Sequence, residues 1–116
     1  MFPSLKLSRI TIAATHLPEM VAFYNAVFGV NLAPIPNSPL YRGSLAGLEL
    51  VLCPNEIAQV VAEQNRKQLH YTVSDLETMV QRAQEYQGSL RNKTPEEAGI
   101  VDPDGNTIVL RSSTMI

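Results

Sequence analysis

The sequence predicts an α+β fold in which one strand–helix–strands unit is used twice. Three observations carry this expectation. Apolar residues alternate along several short stretches and recur at steps of three and four along two others. The two halves of the chain match at a shift of 59 positions, Leu76 against Leu17. The chain closes on Asp102-Pro103-Asp104-Gly105-Asn106, turn residues followed by an alternating strand.

At 116 residues with 45% hydrophobic content the chain is one unit, large enough to bury roughly two thirds of its unfolded surface. Nine basic and eleven acidic residues give a formal net charge of −2, and no basic run supplies the phosphate-neutralising patch that nucleic acid requires. No apolar run reaches signal-peptide or membrane-spanning length, so the expectation is a soluble cytoplasmic protein with neither a nucleic-acid nor a membrane partner. The single cysteine, Cys53, fits a reducing compartment and excludes a multi-cysteine metal cluster.

Leu5 to Ala14 reads as a strand, with Leu5, Leu7, Arg9, Thr11 and Ala13 on one face and Ile10, Ile12 and Ala14 on the better core face. A helix opens near His16-Leu17-Pro18-Glu19, where proline is tolerated because first-turn amides lack intrahelical partners. Met20, Phe23, Tyr24, Val27 and Phe28 form its apolar stripe, and Gly29 ends it. Three prolines and two asparagines between Val30 and Pro39 allow only an edge strand or irregular loop. Leu40–Ala46 and Leu48–Cys53 read as a hairpin turning at Gly47, with Glu49, Val51 and Cys53 sharing a face. Asn55 to Arg66 reads as a linking helix.

Gln68 to Ser74 is again a strand, with Gln68, His70, Thr72 and Ser74 on one face. Ser74 with Glu77 is a possible capping box and Asp75 a competing cap for a helix running to Gly88. Leu90–Thr94 and Gly99–Asp102 precede the last strand, where Thr107 and Val109 oppose Ile108 and Leu110. In the turn, Pro103 presets φ and Gly105 accepts left-handed geometry, closing a three-residue loop with a bulge. At the 59-residue shift Leu17, Met20, Val21 and Gly29 fall on Leu76, Met79, Val80 and Gly88. One domain, 1–116, therefore divides into modules of about 1–54 and 67–116 joined by the helix 55–66.

The chain resembles the vicinal oxygen chelate superfamily of glyoxalase I, bleomycin-resistance proteins and extradiol dioxygenases. The carriers are Phe23-Tyr24-Asn25-Ala26-Val27-Phe28-Gly29, its repeat at Val73-Ser74-Asp75-Leu76, and the closing Asp102–Asn106 hairpin. The resemblance implies two βαβββ modules whose mixed sheets curl into a cup with helices outside, often completed by pairing modules between two chains of a dimer. In metal-dependent members the cup holds one divalent ion. Carried over by register, its ligand positions fall on Arg9, Glu49, Gln68 and Val109. An arginine does not release its proton to coordinate a metal and repels one, and valine has no donor atom. The expectation is no metal and no cofactor.

Arg9, Glu49, Gln68 and His70 are expected to face into the cup, with Thr11 and Val109 beside them. One reading is a ligand pocket in which Arg9 grips a carboxylate, phosphate or carbonyl while Glu49, Gln68 and His70 fix orientation. The other is a buried Arg9–Glu49 ion pair acting as a structural plug. His70 is the histidine placed to serve as a general base, although a hydrogen-bonded wall histidine fits as well. Glu49, Gln68 and His70 form an alternative metal set, opposed by the charge of Arg9. His16 reads as a surface cap and Cys53 as a small hydrophobe; Tyr24 and Tyr41 are both candidates to line the pocket, with core packing the better reading for Tyr24. The resulting expectation is a homodimeric, metal-free glyoxalase-like protein that binds, sequesters or senses a small polar or anionic ligand. The alternative is a lyase, isomerase or dioxygenase-type enzyme using the second metal set or His70.

Overall fold

The computed structural model describes residues 3–4, 6–58 and 68–113. The first module contains β1 (Arg9–Ala14), α1 (Leu17–Phe28), β2 (Ala33–Pro34), β3 (Tyr41–Leu45) and β4 (Leu48–Pro54). Its sheet has the order β1-β4-β3-β2, with β1 parallel to β4 and β3 antiparallel to it. A short helix, α2 (Asn55–Ala58), follows; the rest of the expected linking helix lies outside the described residues. The second module repeats the plan with β5 (Leu69–Val73), α3 (Leu76–Glu85), β6 (Ser89–Lys93), β7 (Glu97–Val101) and β8 (Thr107–Ser112), in the order β5-β8-β7-β6. These are the two expected βαβββ modules. Among the described residues no helix is long and apolar enough to cross a membrane.

The helices lie where the apolar periodicity places them. Met20, Phe23, Tyr24 and Val27 of α1 are buried, and Gly29 ends the helix at φ 63° with its N–H donating to Asn25 O at 3.1 Å. In α3 the cap is Asp75, whose carboxylate accepts from the Thr78 amide at 3.1 Å and the Thr78 hydroxyl at 2.7 Å, so the Ser74–Glu77 box is not used. This helix ends at Glu85, before the expected Gly88, and Gln87 takes the left-handed conformation at φ 69°. Gly88 has a different reason to lack a side chain. A Cβ there would lie 2.5 Å from the Phe23 ring and 2.6 Å from Val101 O.

β1 begins at Arg9, later than the expected Leu5, although the Glu49 amide extends the ladder by one bond to Ser8 O. Ile12, Leu50 and Leu52 from the first sheet and Ile100, Ile108 and Leu110 from the second join α1 and α3 in one core. Phe28 of α1 meets Tyr71 of β5 with ring centroids 5.1 Å apart.

The closing turn fastens the modules together. The Gly105 amide donates to Asp102 O at 2.9 Å, and Asp102 N–H to Asn106 O at 3.0 Å, which closes the expected three-residue loop with Gly105 at φ 91°. The nearly inaccessible Asp104 carboxylate reaches into the first module and accepts from the amides of Thr15 at 2.7 Å and His16 at 3.0 Å. His16 Nδ1 lies 2.9 Å from the same carboxylate. His16 thus occupies the cap position of α1 without capping it; the second module satisfies amides at that end.

Candidate functional site

Strand alternation divides each sheet into a core face and an open face. With Ile12, Leu50 and Leu52 in the core, Arg9, Thr11, Arg42, Ser44 and Glu49 stand on the open face of the first sheet. With Ile100, Ile108 and Leu110 in the core, His70, Thr72, Glu97, Val109 and Arg111 stand on the open face of the second. The expected site residues therefore fall into two groups. Arg9, Thr11 and Glu49 share the first face, and His70 and Val109 are register partners on the second. Gln68 is exposed and precedes β5, outside the ladder. Among the described residues no hydrogen bond or ion pair joins the two groups.

At the centre of the first face the Glu49 carboxylate lies between two guanidinium groups. Arg9 Nε pairs with Oε1, and Arg42 Nε lies 3.9 Å from Oε2. The Arg9–Glu49 pair of the plug reading thus forms, but it is not buried: the side chains of Arg9 and Glu49 are 59% and 30% exposed. An exposed pair contributes only about 0–1 kcal/mol, so its stability value is small. Arg42 escaped the sequence reading, although its alternation with Tyr41 and Gly43 across the hairpin from Val51 placed it on this face.

On the second face His70 is exposed and makes no hydrogen bond or ion pair among the described residues. Arg91 donates to the Thr107 hydroxyl at 2.8 Å. Arg111 is the register partner of Thr72 on one side and Glu97 on the other. The two faces carry Arg9, Arg42, Arg91 and Arg111 against Glu49 and Glu97, a cationic excess in a chain whose net charge is −2.

The remaining candidates are engaged elsewhere. Cys53 is 5% exposed, and burial, reinforced by Glu56, pushes its thiol pKa up, against a nucleophilic thiolate. Tyr41 packs on the core side instead of the expected pocket, because it is the register partner of Leu52. The Tyr24 hydroxyl donates to Asp102 at 2.8 Å; burial, then that carboxylate, raises its pKa well above the usual tyrosine value and keeps it protonated.

Two four-stranded mixed sheets of identical strand order, each carrying a helix on one face and polar residues on the other, define an α+β protein of the glyoxalase-like class. The chain belongs to the glyoxalase-like domain family, whose family model matches residues 9–110. It is similar in fold to a glyoxalase-related enzyme from Fulvimarina pelagi, with 19% identity, a TM-score of 0.77 and coverage of 94% of this chain and 88% of that one. The fosfomycin resistance protein FosX from Listeria monocytogenes matches with 14% identity, a TM-score of 0.70 and coverage of 99% and 97%. Lactoylglutathione lyase from Agrobacterium tumefaciens matches with 18% identity, a TM-score of 0.66 and coverage of 97% of each chain. No curated protein sequence matches the chain.

Proposed function

We propose that this chain is a metal-free member of the family that binds a small anionic molecule against its open sheet faces, with Arg9 as the principal cation. The observation that carries the reading is the exposed Arg9 guanidinium, joined by Arg42, at the strand position where metal-dependent relatives are expected to hold a ligand. The residues present do not fit a divalent ion: Arg9 repels it, Val109 offers no donor, and Glu49 is engaged by two cations. Among the described residues His70 has no carboxylate or carbonyl partner to fix a tautomer, which favours a wall of the site over a general base.

A second copy completes the site in this reading. β1 and β5 are edge strands, each with an unpaired side on which another chain can lie. A symmetric dimer that brings the His70 face of one chain opposite the Arg9 face of the other would bury at least about 1,000 Å². Light scattering at micromolar concentration is expected to give a dimer, and a monomer would overturn this arrangement.

The site itself is tested by screening small carboxylates and phosphates by thermal shift and repeating each hit with Arg9→Met. A true ligand at a hundredfold excess over its dissociation constant stabilises by about 2.7 kcal/mol. Arg9→Met is expected to abolish that gain while costing no more than about 1 kcal/mol of intrinsic stability, because the Glu49 pair is exposed. Hits that survive Arg9→Met would contradict the proposal.

A further inference from the structure

We infer that Arg9, Glu49 and Arg42 form a two-armed cationic clamp, selective for a small molecule with two separate carboxylate groups. The inference rests on the anion-binding reading and specifies its ligand class.

The decisive detail is which nitrogen each arginine uses. Arg9 donates through Nε to Glu49 Oε1, whereas Arg42 approaches Oε2 with its Nε at 3.9 Å, an ion pair without a hydrogen bond. Neither makes another hydrogen bond or ion pair among the described residues, so the two Nη groups of each remain available as a donor fork. Such a fork matches the two oxygens of one carboxylate, and two forks take two carboxylates. The side chains are 59% and 57% exposed, which leaves both forks open to an incoming molecule.

Separation argues against one group bridging both arms. Arg9 is on β1 and Arg42 on β3, with β4 between them, so their backbones lie two strand spacings apart across the sheet, about 9–10 Å, and two residues apart along it, about 7 Å, since Arg9 is level with Glu49 and Arg42 with Val51. The Glu49 carboxylate occupies the middle. A single oxyanion reaching both arms would sit against that negative charge, whereas two groups spaced along one molecule sit beyond it on either side. Glu49 thereby becomes a positioning residue: its hydrogen bond turns the Nε edge of Arg9 inward and its fork outward, and its charge draws Arg42 to the other side. Two guanidinium groups against one carboxylate leave an excess positive charge on the face.

The test is a ¹H–¹⁵N NMR titration of the intact chain that follows the arginine Nε–Hε resonances, with malonate, succinate and glutarate compared against acetate and propionate. At least one dicarboxylate is expected to bind tenfold or more tightly than either monocarboxylate. Arg42→Met should reduce that dicarboxylate to monocarboxylate affinity and so erase the tenfold preference. Glu49→Ala should erase the preference, whereas a glutamate that only competes with anions would make this variant bind every probe more tightly and overturn the positioning role. Mono- and dicarboxylates binding equally well, both lost in Arg9→Met and unaffected by Arg42→Met, would sink the clamp and leave the simple anion site standing. Failure of every probe to shift either arginine would count against both.

Discussion

The Tyr24 hydroxyl donates to the Asp102 carboxylate at 2.8 Å and ties the helix of the first module to the turn of the second. Asp102 also accepts from the Asn106 amide at 3.0 Å, Asn106 Nδ2 at 2.9 Å and the Asp104 amide at 3.0 Å. Water does not replace these partners at a residue that is 3% exposed. Tyr24→Phe is therefore expected to cost about 1–2 kcal/mol and Asp102→Ala about 2–3 kcal/mol, since the latter strands several buried donors. Urea unfolding of both single variants and the double variant should show a coupling of about 1 kcal/mol or more. Strict additivity would mean that the contact holds nothing together.

The two best-defined carboxylates give opposite pH dependence. Burial raises the pKa of folded Asp102, and hydrogen bonds from Asn106, Tyr24 and Asp104 offset this only in part. Between the ordinary aspartate value of about 3.9 and the higher folded value, the folded state holds more protons, so this group's contribution falls as pH rises. Asp75 is held below the ordinary range by the Thr78 hydroxyl and amide, so its contribution is present above the unfolded value and lost as pH falls through the folded one. Denaturation between about pH 3 and 7 should show the parent's advantage over Asp102→Asn shrinking with rising pH and its advantage over Asp75→Ala growing. Two flat differences would contradict both assignments.

Gly29 and Gly88 occupy matching places in the repeat and should fail for different reasons. At Gly29 a Cβ meets nothing within 4 Å but must adopt φ 63°, so alanine costs about 1 kcal/mol in conformation. At Gly88 the added carbon meets the Phe23 ring, Val101 O and Ala83 O, all within 2.8 Å. Alanine there is expected to cost about 2–3 kcal/mol, with a visible shift in Phe23 resonances. Equal costs at the two positions would contradict this division.

Most of the fold was legible because period and punctuation agreed. The stripe Met20–Phe23–Tyr24–Val27, the stop at Gly29 and the alternation of Ile108 and Leu110 all lie where local rules put them. What escaped was contact across the repeat. No local signal ties Asp104 to the Thr15 amide, because 89 residues separate them. The reason for Gly88 likewise lies in a ring on another helix. The site was legible by face and not by grouping: parity put Arg9 and Glu49 together, but it did not reveal that His70 belongs to a separate sheet. Arg42 reaches the site from β3, the strand beside the last of its module, where only the hairpin register to Val51 sets its face.

The central claim is that a guanidinium stands where relatives are expected to place a metal ligand, and elemental analysis of protein purified without chelator tests it most directly. We predict far less than one zinc, nickel or iron ion per chain, and a thermal midpoint that these ions leave nearly unchanged. A content near one ion per chain, lost together with thermal stability on chelation, would contradict the account.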